Sequence, residues 1–262
     1  MLILLACTAA APTPSGPRVV SLHDATTELV VGLGRASDLV AVMEPAYLSP
    51  AALLAVEGLP RLAAPVSAEA LLALHATVVL GTEDVPQHQP ELVATPNAVW
   101  IDPNGLDGLW LAVEQVAAAL DAPAAAYLAG LQAQVPLAVA GDLPVFVYDC
   151  CEPPFTMGSR APLTELLGLM GARNVFGDLD VDWGRVSWEA VLVRQPQLVI
   201  IDDYDGEGDA DVKRAVVEAH LGAVATVVLP LSVVLEGPRV LEAPALLAPA
   251  IDAARAAGAA RR

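Results

Sequence analysis

Four consecutive residues have side chains that could do chemistry, because Asp149, Cys150, Cys151 and Glu152 place two thiols between two carboxylates. This group could be a metal site, a redox site, a ligand-binding loop or an ordinary turn. It follows a strand-like segment and is ended by two prolines, which cannot continue a strand. Because the Cα atoms of bridged cysteines are usually well separated, we expect no structural disulfide between these adjacent residues.

Catalytic signatures do not occur elsewhere in the sequence. No Ser/His/Asp or Cys/His spacing fits a nucleophile with its base, and no glycine-rich phosphate-binding motif is present. Two enzyme hypotheses remain: paired carboxylates that hydrolyse a glycoside, or an activated cysteine that acts as nucleophile. Since neither has a convincing set of partners, we expect a protein that is not an enzyme.

A site for free metal ions would need several histidines and carboxylates close together. Of the four histidines, His23 follows a predicted strand and could be a ligand, whereas His75, His88 and His220 have no ligand-like spacing. Free-metal binding therefore stays an alternative with too few ligands, and we expect no bound metal in the protein itself.

The elements that must position these residues alternate between strands and helices. Apolar, β-branched segments predict strands at 18–22, 39–43, 77–81, 98–102, 145–149, 197–203 and 226–230. Helical patterns lie between them, and one long helical run joins the two halves. The alternation predicts an α/β protein with parallel sheets. We divide the chain into a tether (1–17), an N-terminal lobe (18–105), a connecting backbone helix (106–140) and a C-terminal lobe (141–262).

The two halves share a short internal repeat. "VSAEALLALHATVVLG" (66–81) aligns with "VSWEAVLVRQPQLVII" (186–201), and each reads Val-Ser-x-Glu-Ala, then a helical turn, then a strand. Ser67 is a plausible N-cap for the first of these helices. The repeat indicates two similar lobes.

Charge and the N-terminus restrict the partners and the location. The chain has 31 acidic and 13 basic residues and a formal charge of -18, which makes nucleic acid an improbable partner. "LLAC" ending at Cys7 matches a bacterial lipobox, followed by a flexible Ala/Pro/Thr/Ser stretch. We therefore predict lipidation at Cys7 and a location in the periplasm or on the outer face of the cytoplasmic membrane.

Three segments carry a family resemblance: "RVVSLHDATTELVVGLGRASDLVAV", "GLPRL" with the first repeat unit, and "TELLGLMGARNVFGDLDVDWGRVSWEAVLVRQPQLVIID". In order and spacing they resemble the periplasmic substrate-binding proteins of ABC importers, in the helical-backbone class that binds vitamin B12, haem or ferric siderophores. The resemblance covers residues 18 to about 256. It implies two Rossmann-like lobes joined by one long helix, a monomer, and an ABC permease dimer as partner.

The resemblance also implies a ligand cleft between the lobes, at the carboxyl ends of the strands. The expected ligand-facing residues are His23, Asp24, Glu44, Tyr47 and Glu83 in the N-terminal lobe, and Asp149, Cys150, Cys151, Phe155, Asp182, Trp183 and Tyr204 in the C-terminal lobe. Trp183 is the expected aromatic contact for a flat macrocycle, and Tyr47 lies where haem-binding relatives often have an iron ligand.

The charge of the predicted cleft loops restricts the class of ligand that we expect. The predicted cleft loops are rich in Asp and Glu and nearly lack arginine, with Arg160 as the nearest candidate. Haem propionates and catecholate siderophores are anionic, so the loops favour a corrinoid or a cationic ferric siderophore that brings its own Co or Fe. Haem stays an alternative.

By motif position, Glu69 and Glu189 are the expected docking residues for arginines of the permease. One carboxylate on the rim of each lobe could form a bidentate pair with an arginine. The alternative is a carboxylate that only stabilises the first turn of its own helix.

Overall fold

The structure is a computed structural model that describes residues 16–204 and 209–260. It confirms the predicted α/β class with two lobes. The N-terminal lobe contains β1 (Val19–Ser21), β2 (Leu39–Met43), β3 (Arg61–Leu62), β4 (Val78–Thr82) and β5 (Ala98–Ile101). These strands form one parallel sheet in the order β3-β2-β1-β4-β5.

The C-terminal lobe contains β6 (Leu143–Tyr148), β7 (Phe155–Met157), β8 (Ala172–Asn174), β9 (Trp183–Arg185), β10 (Leu198–Asp203) and β11 (Ala225–Pro230). Four of them form a second parallel sheet in the order β11-β10-β6-β8. The other two, β7 and β9, pair antiparallel beside it. Every residue of β4 is buried, as expected for a parallel strand covered on both faces.

Helices connect the strands and cover the sheets. They are α1 (Asp24–Gly32), α2 (Pro50–Ala55), α3 (Ala68–Ala73), α4 (Asp84–His88), α5 (Gly105–Ala119), α6 (Ala125–Gln132), α7 (Pro162–Leu169), α8 (Trp188–Arg194), α9 (Ala210–Leu221) and α10 (Ala243–Ala260). The sequence patterns predicted most of them, whereas helices α2 and α4 and the short strands β3, β7, β8 and β9 were not predicted.

The helix that joins the lobes is shorter than the predicted run of 106–140. Helix α5 ends at Ala119, and the chain then turns through Asp121, which has a left-handed φ of 49°. Pro123 follows, and because a proline disfavours the helical region for the residue before it, one continuous helix cannot form there. A second helix, α6, begins only at Ala125.

Helix α5 packs against α1 of the N-terminal lobe and α7 of the C-terminal lobe. Its buried side chains, such as Leu109 and Val113, belong to one apolar cluster that also contains Leu29 and Leu166. The two lobes therefore share a continuous core, which resists a large change in the angle between them.

A second segment crosses from the C-terminal lobe to the N-terminal lobe, between β11 and α10. Its Arg239 donates a hydrogen bond from Nη1 to the backbone oxygen of Tyr47 over 3.3 Å. At Gly237, where φ is 124°, a Cβ atom would lie 3.1 Å from the Cβ atom of Ala25. This close approach and the positive φ both favour glycine.

The internal repeat forms the same local structure in both lobes. Ser67 Oγ accepts a hydrogen bond from the N–H of Ala70 over 3.1 Å, as predicted for an N-cap, and Ser187 does the same for Ala190 over 3.2 Å. Each helix is followed by a residue with left-handed φ and then by a buried strand. The two units differ at their third position, where Ala68 is exposed and Trp188 is buried.

The predicted lipidation residue Cys7 lies outside the described residues. Among the helices of residues 16–204 and 209–260, none is both long enough and apolar enough to cross a lipid bilayer.

Candidate ligand-binding site

A cleft of about 540 Å³ opens between the lobes at the carboxyl ends of the strands. This is the expected position for a ligand site in open α/β sheets. Seven of the predicted ligand-facing residues line it together: Tyr47, Glu83, Asp149, Phe155, Asp182, Trp183 and Tyr204. The structure thus brings together side chains that are as much as 157 positions apart in the sequence (204 − 47).

Three other predicted residues, His23, Asp24 and Glu44, line an adjoining hollow of about 400 Å³ on the N-terminal lobe. This hollow shares Tyr47 and Glu236 with the cleft, so the two spaces are continuous along that wall. These three side chains lie beside the cleft rather than in its lining.

His23 is held by two contacts. It is the N-cap residue of α1, and its Nδ1 accepts a hydrogen bond from the N–H of Ala25 over 3.1 Å. An accepting Nδ1 leaves the ring proton on Nε2, which lies 3.5 Å from Oε1 of Glu236. Both ring nitrogens therefore face protein groups, and a metal would have to displace one of them.

Asp24 organises the loop that carries Tyr47. Its Oδ2 accepts hydrogen bonds from the N–H groups of Ala46 and Tyr47, at 3.1 Å and 2.7 Å. The carboxylate consequently acts on the cleft through Tyr47, whose side chain lines both the cleft and the hollow. Glu44 is exposed on the rim of the hollow.

The β7–β9 pair supplies an aromatic wall. The rings of Phe155 and Trp183 stack with centroids 5.6 Å apart and an interplanar angle of 18°. Arg185 lies 5.6 Å from the centroid of the Phe155 ring, and Asp182 accepts a hydrogen bond from the N–H of Trp183. A stacked pair of this kind offers a flat, apolar surface to a planar ligand.

Tyr204 is fixed from two sides. Its hydroxyl donates a hydrogen bond to Oδ1 of Asp149 over 2.7 Å, and Nζ of Lys213 lies 3.9 Å from the centroid of its ring. Burial and the bond to Asp149 raise the pKa of Tyr204 above its usual value, so its hydroxyl remains a donor at neutral pH.

Behind Tyr204 lies a buried charge cluster. Lys213 donates to the backbone oxygen and to Oδ1 of Asp202, at 2.7 Å and 2.9 Å, and pairs with Asp209 at 2.9 Å. Burial, and then the neighbouring Asp149 carboxylate, raise the pKa of Asp202 to about 8, while Lys213 lowers it. Lys213, the one lysine in the sequence, is therefore a structural residue of the cleft wall.

Most of the charged side chains in the described lining of the cleft are carboxylates. They are Glu83, Asp84, Asp102, Asp149, Asp182 and Glu236. Arg160 is the one cation among the described lining residues, and it already pairs across the cleft with Asp102 at 3.4 Å. Burial raises the pKa of Glu236, while the nearby His23 opposes that shift. The arrangement attracts cations and repels anionic groups.

The prediction for Cys150 and Cys151 was wrong in one respect, because the two residues form a disulfide. The tight turn that follows β6 makes the disulfide possible. Cys151 adopts a left-handed φ of 78°, and the backbone of Cys150 forms an antiparallel β-bridge with that of Phe155. The disulfide lies outside the cleft lining, although the turn leads directly to Phe155.

Glu152, which follows the disulfide, fastens the turn to the repeat unit of the C-terminal lobe. Its Oε2 accepts a hydrogen bond from Nε1 of Trp188 over 2.8 Å, and its Oε1 lies 3.2 Å from Nε2 of His220. The rings of Trp188 and His220 stack, with centroids 4.3 Å apart. The Glu152 carboxylate therefore contacts both aromatic side chains and holds them together.

Glu69 and Glu189 occupy matching positions in the first turns of α3 and α8, and both side chains are exposed. Backbone N–H and the Ser187 hydroxyl hold the pKa of Glu189 below its usual value. Both carboxylates are therefore available to a cationic partner, and Glu189 also stabilises its own helix.

Several lining residues were not predicted. Asp102 to Asn104 follow β5, and Leu231, Leu235 and Glu236 follow β11. Both strands were predicted, so the rule that ligand sites lie after strand ends could have found these residues. Within the part of the chain that the structure describes, no group of three or more His, Cys, Asp or Glu residues could hold a metal ion.

The two-lobe architecture is the fold of solved periplasmic binding proteins. Over 92% of this chain it is similar to the periplasmic vitamin B12-binding protein of Vibrio cholerae, with a TM-score of 0.66 and 23% identity, covering 98% of that chain. The periplasmic haem-binding protein of the same organism matches 90% of this chain and 98% of its own, with a TM-score of 0.69 and 22% identity.

Sequence comparison defines the family more closely. The vitamin B12-binding protein of Pectobacterium carotovorum is 32% identical over 212 residues, which cover 76% of this chain and 75% of that protein. The chain belongs to the family of vitamin B12-binding proteins, which are substrate-binding proteins of ABC importers. A search against family models found no match.

Proposed function

We propose that this protein captures a corrinoid of the vitamin B12 type outside the cytoplasm and delivers it to the permease of an ABC importer. The observation that carries the proposal is the cleft itself, in which a stacked Phe155–Trp183 wall faces a lining with six carboxylates and one paired arginine. A flat, neutral or cationic chelate fits such a surface by stacking and by charge.

The protein needs no cofactor of its own in this proposal, because cobalt or iron arrives inside the ligand. It acts as a monomer without turnover, in keeping with relatives that are named as binding proteins. Glu69 and Glu189 dock the two lobes on arginines of the permease dimer. Lipidation at Cys7 holds the protein at the outer face of the membrane.

The test is a calorimetric titration with cyanocobalamin, cobinamide, a cationic ferric hydroxamate and hemin, with product analysis after incubation. We expect corrinoid binding with an unchanged ligand, and a melting temperature that rises with ligand concentration. Trp183→Ala should weaken corrinoid binding about tenfold or more, which corresponds to about 1.4 kcal/mol, whereas Trp183→Phe should retain most of the affinity. Binding of a free divalent ion but no chelate would overturn the proposal.

Haem is the second candidate, supported by the position of Tyr47 in the cleft lining. The carboxylates oppose it, because haem propionates are anionic. Preferential binding of hemin that is lost in Tyr47→Phe would replace the corrinoid proposal with this one.

Docking is tested separately from capture. In Glu69→Ala combined with Glu189→Ala, we expect unchanged affinity for the chelate and loss of import into cells. A loss of chelate affinity in this double variant would contradict the docking role. Radiolabelled palmitate incorporation, compared between the natural chain and Cys7→Ser, tests the lipid anchor.

A further inference from the structure

The two repeat units present different surfaces beside their docking glutamates. On the N-terminal lobe, an apolar groove of about 260 Å³ runs along α3. It is lined by Ala68, Leu71, Leu72, Ala76, Val79, Glu91, Ala94, Thr95, Pro96 and Asn97. Ala68 directly precedes Glu69, and Leu72 lies three residues after it, on the same side of the helix. The groove is therefore continuous with the docking position.

The corresponding place on the C-terminal lobe is filled by the protein itself. Trp188 stands where the N-terminal lobe has Ala68, and its ring stacks on His220 at the end of α9. Glu152 holds both rings in this position, so the protein's own indole and imidazole cover this surface.

The connection ahead of the last strand of each sheet explains the difference. In the C-terminal lobe, the twelve-residue helix α9 connects β10 to β11 and carries His220. In the N-terminal lobe, the connection from β4 to β5 holds only the five-residue helix α4 and a turn of 3₁₀-helix at Pro90–Leu92. The segment between this 3₁₀ turn and β5 places Ala94 opposite α3. Small residues therefore line both sides of the groove.

Leu72 shows that the groove is open to a partner. Its side chain is 74% exposed, although it lies on an apolar rim beside two carboxylates, Glu69 and Glu91. The matched residue on α8, Leu192, is also 50% exposed, so the two lobes differ in the groove beside the leucine and not in the exposure of the leucine. The surrounding charge selects a partner whose own surface combines a cation with an apolar side chain.

We propose that the permease inserts an apolar side chain into this groove while one of its arginines pairs with Glu69, and that the C-terminal lobe receives only the pair with Glu189. The inference rests on the proposed docking role of the two glutamates. It makes the two ends of this protein unequal partners for a two-fold permease, because one end has a pocket and the other a filled surface.

The experiment measures affinity for the permease–ATPase complex of the same organism in lipid nanodiscs. Ala68→Trp fills the groove as Trp188 does on the other lobe, and Leu72→Gln removes its apolar rim. We expect affinity to fall about tenfold for each, with chelate binding and melting temperature unchanged. Leu192→Gln, the matching position on α8, is the control and should change affinity less than about threefold. Hydrogen exchange should slow at residues 68–74 and 91–97 in the complex.

The possible results separate the two proposals. If Glu69→Ala weakens the complex but Ala68→Trp does not, the groove inference fails and the docking role stands. If Leu192→Gln costs as much as Leu72→Gln, the contact is a general apolar surface and the inference also fails. If the natural protein does not bind the permease complex, or if Glu69→Ala with Glu189→Ala leaves its affinity unchanged, the proposed docking role itself is overturned.

Discussion

The two lobes are built on the same frame but are filled differently. Their repeat units share an N-capping serine, an exposed glutamate and a buried strand, yet one presents Ala68 to an open groove and the other buries Trp188 under His220 and Glu152. The same helix–strand unit therefore accommodates either a groove or a packed aromatic cluster at the same position.

The central strands differ in the same way at their carboxyl ends. At the end of β1, Ser21 Oγ lies 2.7 Å and 2.8 Å from the hydroxyls of Thr26 and Thr27, which together form a buried, uncharged network. In the C-terminal lobe, the ends of β6 and β10 lie beside the titratable cluster of Asp149, Asp202 and Lys213. The N-terminal lobe therefore has hydroxyls where the C-terminal lobe has buried titratable groups, and their responses to mutation and pH should differ.

The largest effect should come from emptying the C-terminal repeat unit. Trp188→Ala is expected to lower the free energy of unfolding by about 4 kcal/mol, because a buried indole is lost and Glu152 loses a donor. Ala68→Ser, the matched change on the exposed side, should cost less than about 0.5 kcal/mol. Urea unfolding of both variants checks this, and equal losses would show that the two units are packed alike.

The second effect concerns the buried cluster around Lys213. Lys213→Met should cost about 3 kcal/mol, because two buried oxygens of Asp202 lose the hydrogen bonds that Lys213 donates. The adjacent Arg214 pairs with Asp211 on the surface, so Arg214→Met is the matched control and should cost less than about 1 kcal/mol. Urea unfolding of the two variants measures both losses of unfolding free energy. A loss in Lys213→Met as small as that in Arg214→Met would mean that the cluster does not depend on its lysine.

The smallest effect is a difference in pH dependence. The pKa of Asp202 is raised from 3.8 to about 8 in the folded protein, so the native state binds a proton that the unfolded state releases. This contribution to stability is complete below about pH 4 and is lost as the pH rises towards about 8. Asp202→Asn removes this pH dependence. From about pH 5 to about pH 8, the free energy of unfolding of the variant should therefore rise by more than about 1 kcal/mol relative to that of the natural protein, as measured by urea unfolding at both pH values.

Ser21→Ala is the counterpart on the N-terminal lobe. The hydroxyl network of Ser21 contains no titrating side chain. The variant should therefore lose about 1 kcal/mol of unfolding free energy at pH 5 and the same amount at pH 8. A slope in Ser21→Ala, or none in Asp202→Asn, would contradict the contrast between the two strand ends.

Local signals predicted much of the frame. The segment 39–43 is a strand with the predicted bounds, and Ser67 is the predicted N-cap. Trp183 lines the cleft, where the family resemblance had placed it, but its contact with a ligand stays a prediction. The antiparallel pair of β7 and β9 was missed, because each strand has only three residues and a pattern so short has no recognisable period.

The sequence by itself determined the alternation of strands and helices, the repeat and the acidic character of the cleft, because these depend on residue types and on contacts between near neighbours. The tertiary structure alone decided that Cys150 and Cys151 are joined, that His23 faces Glu236, and that Glu152 clamps Trp188 to His220. The last two contacts join residues far apart in the chain, and the disulfide needs a left-handed backbone at Cys151. Only the packed fold sets such distances and angles, because no local pattern encodes which distant segments meet.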